Sequence, residues 1–266
     1  MTEISSSPPR TAVLGPFGRS SPEDRFDSNP LSRSLERIGS LSDVERCVLD
    51  AAIARTRQVR AGEDIVREGD RPPECGLILD GFACRYKLLS AGRRQITSFH
   101  IAGDICDLHS FLLEEMDHSI GAVTACTLGV IPHQALRTIT DHHPHLTRLL
   151  WRSTLIDAAV FREWMAGIGR RSALARVAHL LCEILIRLEA AGLAQGGVCE
   201  LPVTQTDIGD ALGLTNVHVN RVLQQLRGEG IITSRQNILV VNAWERLKQV
   251  GEFVPNYLHL RDGQER

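Results

Sequence analysis

The chain has 266 residues, 43% of them apolar, with 30 Lys and Arg against 32 Asp and Glu and a formal charge of −2. That length holds about two ordinary globular domains, and the near-neutral balance excludes an argument from global charge: any nucleic-acid contact has to come from a local basic face. Seven cysteines (Cys47, Cys75, Cys84, Cys106, Cys126, Cys182 and Cys199) are scattered without a CxxC or a tight cluster, which excludes a disulfide scaffold and fits a reducing cytoplasm.

The N-terminal MTEISSSPPR lacks the apolar core of a secretory signal, and no apolar run approaches the ~18 residues of a membrane span, so no membrane partner is expected. Residues 1–30, rich in Ser, Pro, Gly and charge, read as a disordered arm. Short helices follow, with Leu35, Ile38, Leu41, Val44, Val48 and Leu49 at helical spacing around the cap Ser42. From about 56 to 132 short β runs alternate with glycine turns (AGED, EGDR, LDGF, SAGR, IAGD), a pattern that favours an antiparallel roll or barrel with glycine supplying positive φ. Residues 31–142 are therefore one β-roll unit with flanking helices.

From 143 to 168 the period is helical again: Leu146, Leu149, Ser153, Ile156, Val160 and Trp164 form a candidate seam for pairing two subunits, the alternative being a helix packed on its own roll. Pro144 suits the first turn of that helix. Gly167 and Gly169 punctuate the pattern and make a hinge before a second helix, RRSALARVAHLLCEILIRLEAAG, closed by Gly192.

The segment 169–250 carries the sharpest motif. Thr204 with Asp207 three residues on is a capping box that opens a short helix ending at Gly213, and Thr215 opens a second. In that second helix Val219, Val222, Leu223 and Leu226 make an inward stripe, and Asn216, His218, Arg221 and Gln225 lie on the other side. Two short helices, a glycine turn and an exposed polar face read as a helix-turn-helix whose second helix enters the major groove of double-stranded DNA. Arg221 suits guanine, Asn216 adenine and Val217 a thymine methyl, so these three are the expected base contacts. Thr204, Thr206, Thr215 and His218, with Arg235 on the two-stranded wing IITSRQNILVVN, are the expected phosphate contacts. The rest, 251–266, reads as a C-terminal tail.

The stretch DIGDALGLTNVHVNRVLQQLRGEGIIT, together with the glycine pattern GEDIVREGD, LILDGF, GRRQI and FHIAGD, resembles the Crp/Fnr superfamily of transcription factors over about residues 35 to 250. The resemblance implies an α+β chain: an antiparallel β-roll of the cyclic-nucleotide-binding type, a long dimerisation helix and a C-terminal winged helix-turn-helix. It also implies a homodimer on a palindromic operator, RNA polymerase as a partner and a small-molecule effector. The early recognition helix departs from the family pattern, with Asn216 and Val217 in place of Arg-Glu or Val-Glu, so the operator sequence does not transfer.

In cyclic-AMP-binding members the cassette presents Glu, then Arg-Ser/Thr-Ala. Here Asp107 stands near the Glu, and His118, Ser119 and Ile120 replace the later triplet, a loss of the guanidinium fork that argues against cyclic AMP. Asp107, His118 and Ser119 are accordingly the expected lining of an effector pocket. The cysteine spacing does not suit the family's iron-sulfur cluster, and Cys75, Cys84, Cys106 and Cys126 read as buried small hydrophobes. His100, His109, His118, His142, His143 and His145 match no metal template and read as hydrogen-bonded or surface histidines, so neither metal nor other cofactor is expected. Two other classes remain open at this point: a cupin-like metal-dependent enzyme, disfavoured because DLHSF offers a single compact Asp-His pair and the helix-turn-helix would be left unexplained, and a nucleotide-binding module without DNA, which needs the absent cassette Arg.

Overall fold

Residues 29–261 are described in the computed structural model of the chain. The expected N-terminal arm lies outside them, except that Asn29 and Pro30 already belong to the first helix, α1 (Pro30–Glu36), whose opening amide at Leu31 is accepted by the Asn29 side chain. α2 (Asp43–Ala51) starts on a reciprocal capping box between Ser42 and Glu45. Leu35, Ile38, Leu41 and Leu49 are buried as expected, but Val44 is 68% exposed. It lies about 140° round the helix from Leu49, on the face turned to solvent.

Seven strands follow: β1 (Arg55–Val59), β2 (Asp64–Val66), β3 (Glu74–Asp80), β4 (Ala83–Leu88), β5 (Arg94–His100), β6 (Ser119–Ala122) and β7 (Cys126–Pro132). They form two antiparallel sheets, ordered β1-β7-β3 and β2-β6-β4-β5. All five predicted turn glycines have positive φ. At two of them space is also lacking: a Cβ on Gly81 would stand 2.5 Å from Ala125 O, and one on Gly103 2.7 Å from Pro30 O. Val59, Ile78, Ala83, Met116, Ile120 and Leu128 fill the roll interior. The strand alternation turns Cys84 and Tyr86, and an extra residue of β5 at Thr97 turns Ile96 and Phe99 with them, into a different core shared with the helices that follow.

Those helices are α3 (His133–His142), α4 (Pro144–Arg170) and α5 (Ala173–Ala190). Pro144 occupies the first turn of α4, as its fixed φ favours. The predicted pairing seam is corrected. Leu146, Leu149, Val160 and Trp164 are buried within their own chain, Trp164 edge-on to Phe99 with ring centroids 5.9 Å apart, and Ser153 and Ile156 are half-buried. A helix lodged between two surfaces carries two apolar stripes, and the one read from the sequence fastens α4 to the roll. A second stripe, Trp151, Thr154, Ala158, Phe161, Met165 and Ile168, follows a strict 3-4 spacing on an adjoining side; Ala158 is half-buried and the others are exposed, Trp151 at 66% and Met165 at 57%. The hinge is also displaced: α4 runs through Gly167 and Gly169, and the break falls at Arg171, whose ψ is 151°, before Ser172 caps α5 through Ala175 N.

α5 is buried along most of its length, and at its centre is Glu183, 0% exposed. Its carboxylate accepts from Trp164 Nε1 of α4 at 3.0 Å and from Tyr257 Oη at 2.7 Å, and faces Arg187 at 3.7 Å. Burial pushes the pKa of Glu183 up, against the pull of these neighbours. Arg187 also bonds Asp104 and Phe99 O of the roll, and Asp104 meets Arg37 just beyond α1.

After Gly192 the chain makes β8 (Ala194–Gln195), β9 (Val198–Glu200), α6 (Gln205–Leu212), α7 (Asn216–Gly228), β10 (Ile232–Arg235), β11 (Ile238–Val241) and α8 (Trp244–Gly251). The wing hairpin β10–β11 is extended into a four-stranded sheet, β10-β11-β9-β8, by a hairpin absent from the sequence reading. The expected tail is corrected up to residue 261. Phe253 and Leu258 are buried and Tyr257 reaches Glu183, so this stretch folds back over α5; 262–266 lie outside the described residues.

Removing one partner of a fully buried ion-paired network leaves the others uncompensated. Glu183→Ala is expected to cost about 3–5 kcal/mol in urea unfolding, several times the loss for an exposed acid such as Glu229→Ala.

Candidate nucleic-acid interface and roll cavity

The helix-turn-helix is fixed by two glycines. Gly213 ends α6 in the left-handed conformation at φ 64°, and a Cβ on Gly209 would come within 2.6 Å of Leu214 O, so only glycine lets the turn fold onto α6. Thr204 and Asp207 make the predicted capping box, and Thr215 Oγ1 accepts His218 N to start α7. Val219, Val222, Leu223 and Leu226 are buried as expected. Asn216, Val217, His218 and Arg221 share the exposed outer side of the first turns, Val217 at 67%. The side chains of Arg221 and Arg235 make no hydrogen bond or ion pair among the described residues. Arg235 stands at the wing turn beside Gln236, whose φ is 53°.

Not every expected contact residue is equally free. Thr204 donates its hydroxyl proton to Asp207 Oδ2 at 2.7 Å and accepts the Asp207 amide, so the cap consumes it. Thr206 and Thr215 act only as acceptors, from Asn216 Nδ2 and His218 N, and keep a proton to give.

Charge counting along the sequence balances the arginines of this segment against Asp207, Asp210 and Glu229; tertiary structure separates them. Arg94 of β5, stacked over the Tyr86 ring, bonds Asp207 at 2.5 Å and Asp210 at 2.9 Å, and Gln95 Nε2 donates to Ala211 O. The acidic groups of α6 are thus turned toward Arg94 of the roll, which offsets one of their two charges, and Arg221 stays unpaired on the outer face of α7. Nothing in the segment alone predicted the Arg94 contact, which joins residues over 110 positions apart.

The expected effector residues are not brought together. Asp107, whose Oδ1 accepts Gly76 N at 2.7 Å, lines a cavity of about 370 Å³ with Arg57, Asp70, Arg71 and Glu74. Burial pushes its pKa up to about 6. Ser119 is committed to the amide of Glu68. His118 faces a larger cavity of about 540 Å³ between the roll and α4, whose wall includes Arg85, His100, His109, Asp117, Asp157 and Phe161. The expectation that the histidines are hydrogen-bonded or superficial holds for His145, bonded to Glu45, for exposed His142 and for His118, whose Nδ1 meets Asp117, but His100, His109 and His118 each also bury an Nε2 atom without a partner. Burial lowers the pKa of His100 to about 3 and of His109 to about 4, so both rings are neutral at pH 7. Cys75, Cys84, Cys106 and Cys126 are buried with thiol pKa values raised by desolvation, in keeping with a packing role.

Two family models match: a cyclic nucleotide-binding domain over residues 56–143 and a Crp-like helix-turn-helix domain over 175–250. The nitrogen fixation regulation protein FixK of Bradyrhizobium diazoefficiens is 32% identical over 216 residues, 79% of this chain and 87% of that protein. The transcriptional activator protein anr of Pseudomonas aeruginosa is 25% identical across 77% of this chain and 80% of its own length. Among solved structures, FixK2 from Bradyrhizobium japonicum is similar with a TM-score of 0.67 and 30% identity, covering 74% of this chain and 96% of that one.

The buried neutral state of His100 has a pH consequence. Its folded pKa lies below the ~6.5 of an unfolded histidine, so the unfolded state binds the extra proton first, and stability is intact above pH 6.5 and falls as the pH drops towards 3. Between pH 7.5 and 5.5 this single group should remove about 1.4 kcal/mol of stability. Urea midpoints at the two pH values, compared between wild type and His100→Asn, measure it as the part of the pH dependence that the variant lacks.

Proposed function

This chain belongs to the Crp/Fnr family of DNA-binding transcription regulators, and from that premise we propose that it works as a homodimer that reads a palindromic operator with α7. The observation that carries the reading is the outer face of α7: Arg221, free of internal partners, on a helix whose approach angle is locked by Gly209 and Gly213. Asn216, Val217 and Arg221 are the base-reading residues, and Thr206, Thr215, His218 and Arg235 contact phosphates. Thr204 was expected among the phosphate contacts; its consumed hydroxyl supports a capping role instead.

Within this reading residues 31–142 are the effector unit, 143–168 the dimerisation segment and 169–250 the DNA-binding unit. The dimer seam is the exposed stripe from Trp151 to Ile168, whose heptad spacing suits pairing of two parallel helices. RNA polymerase is the partner at promoters, the compartment is the cytoplasm, and the chain has no catalytic role. Among the described residues no helix is long and apolar enough to cross a membrane. His118 at the position of the cassette arginine supports an effector other than cyclic AMP. Such an effector acts by shifting the balance between two arrangements of α4 and α5 about Arg171 and Ser172, with the Arg94 contacts to α6 made in one of them.

Two experiments test the proposal. On a specific operator Arg221→Ala should cost about 1 to 3 kcal/mol and relax discrimination at one base pair of each half-site, the half-sites being ~34 Å apart; equal binding of wild type and variant to every sequence refutes base reading by Arg221. Phe161→Glu with Met165→Glu should convert a dimer to a monomer in sedimentation equilibrium while leaving the unfolding transition cooperative; an unchanged dimer removes the stripe as the seam.

A further inference from the structure

Among the described residues the buried and half-buried histidines His100, His109, His118, His133 and His179 divide into two kinds. His179 has both ring nitrogens partnered, Nδ1 with Gly251 O and Nε2 with Tyr257 Oη, and His133 Nε2 meets Ser110 Oγ. His100, His109 and His118 instead leave Nε2 unpartnered, and all three line the cavity beneath α4. Native interiors seldom leave such atoms alone, and their concentration in one cavity asks for a ligand.

Two of the three converge. The His109 and His118 rings stand 4.5 Å apart between centroids at 41°, and His109, Asp117 and His118 each offer a donor atom within 4.8 Å of the others. His118 is 9% exposed. Its Nδ1 lies 2.6 Å from Asp117 Oδ1, and since a carboxylate only accepts, Nδ1 carries the proton and Nε2 keeps its lone pair. A carboxylate on the far nitrogen is the arrangement that fixes the tautomer of a metal-bound imidazole and raises its basicity. The cations in the wall are held in ion pairs that offset their repulsion of a metal: Arg85 with Asp157, Arg37 and Arg187 with Asp104, and Lys87 with Glu68.

We propose that His109 Nε2 and His118 Nε2 bind one divalent zinc-class metal ion in the cavity between the roll and α4, with Asp117 orienting His118 from the outer sphere. Nitrogen ligation with two solvent positions suits Zn²⁺ and leaves the ion exchangeable. Two nitrogens in a tetrahedral shell sit roughly 3.4 Å apart, against donor atoms that here lie within 4.8 Å of one another. The cavity wall on α4 includes Thr154 and Phe161, which belong to the exposed stripe, so the ion would lie behind that surface. The site stands on His109, His118 and Asp117 and does not depend on the DNA-binding reading.

The test is a Zn²⁺ titration of the full chain, first stripped with chelator, against a competing chromophoric indicator, with Co²⁺ absorption reporting nitrogen ligation. One ion per chain is expected. His109→Asn with His118→Asn should abolish binding, and His142→Asn with His143→Asn should leave it unchanged. Asp117 is exposed, so Asp117→Asn should fold normally and weaken binding at least tenfold. Failure of the wild type to bind, undiminished binding in the double His109 and His118 variant, or unchanged affinity in Asp117→Asn overturns the site.

Discussion

A carboxylate buried out of all contact with water has to be answered by donors, and Glu183 is answered from three separate parts of the chain. Trp164 comes from the long helix, Tyr257 from the C-terminal stretch and Arg187 from the next turn of α5. Arg187 carries the thread onward to Asp104 in the roll, and Asp104 to Arg37. Replacing such a network with apolar groups often stabilises a protein, so its meaning here is geometric. It defines one relative placement of roll, long helix and DNA-binding unit, because only in that placement is every buried charge compensated.

Around that thread the apolar cores are arranged unequally. The roll has a small interior of its own, whereas the outer faces of β4 and β5 share a continuous core with α4, α5 and the helix-turn-helix. Arg94 and Gln95 add a polar contact between the same strand and α6. A change inside the roll therefore has a short mechanical route to α7, through β5 and through the α4–α5 junction. The cavity lies on this route, with the polar side chains of β4 and β5 on one side and α4 on the other. A ligand there would touch both the roll and the helix that leads to the helix-turn-helix domain.

The recognition surface shows the same separation of roles. Segment charge was neutral on paper, but Asp207 and Asp210 are turned inward and paired by the roll, while Arg221 and Arg235 remain outward. A local basic face can thus arise in a chain of net charge −2 without any local excess in the sequence.

Much of this was legible in the sequence because it is decided locally. The cap at Ser42, the capping box at Thr204, the left-handed glycines of the roll turns and Gly213, and the inward stripe of α7 follow from interactions spanning three or four residues. What the sequence could not decide were choices between faces and partners distant along the chain. Periodicity found an apolar stripe on α4 but not which of two stripes meets its own roll. Gly167 and Gly169 suggested a break that neighbouring helical hydrogen bonds overrode, since Arg171 N still bonds Gly167 O. The tail from residue 251 was settled only by the distant Glu183, which draws Tyr257 into the core. Likewise, His109 and His118 are nine positions apart with no helical relation, and only the path of the chain across the roll brings their tilted rings together. Short-range hydrogen bonding and steric permission write themselves into residue types; desolvation and charge compensation depend on which distant surfaces meet, and that is fixed only when the chain is folded.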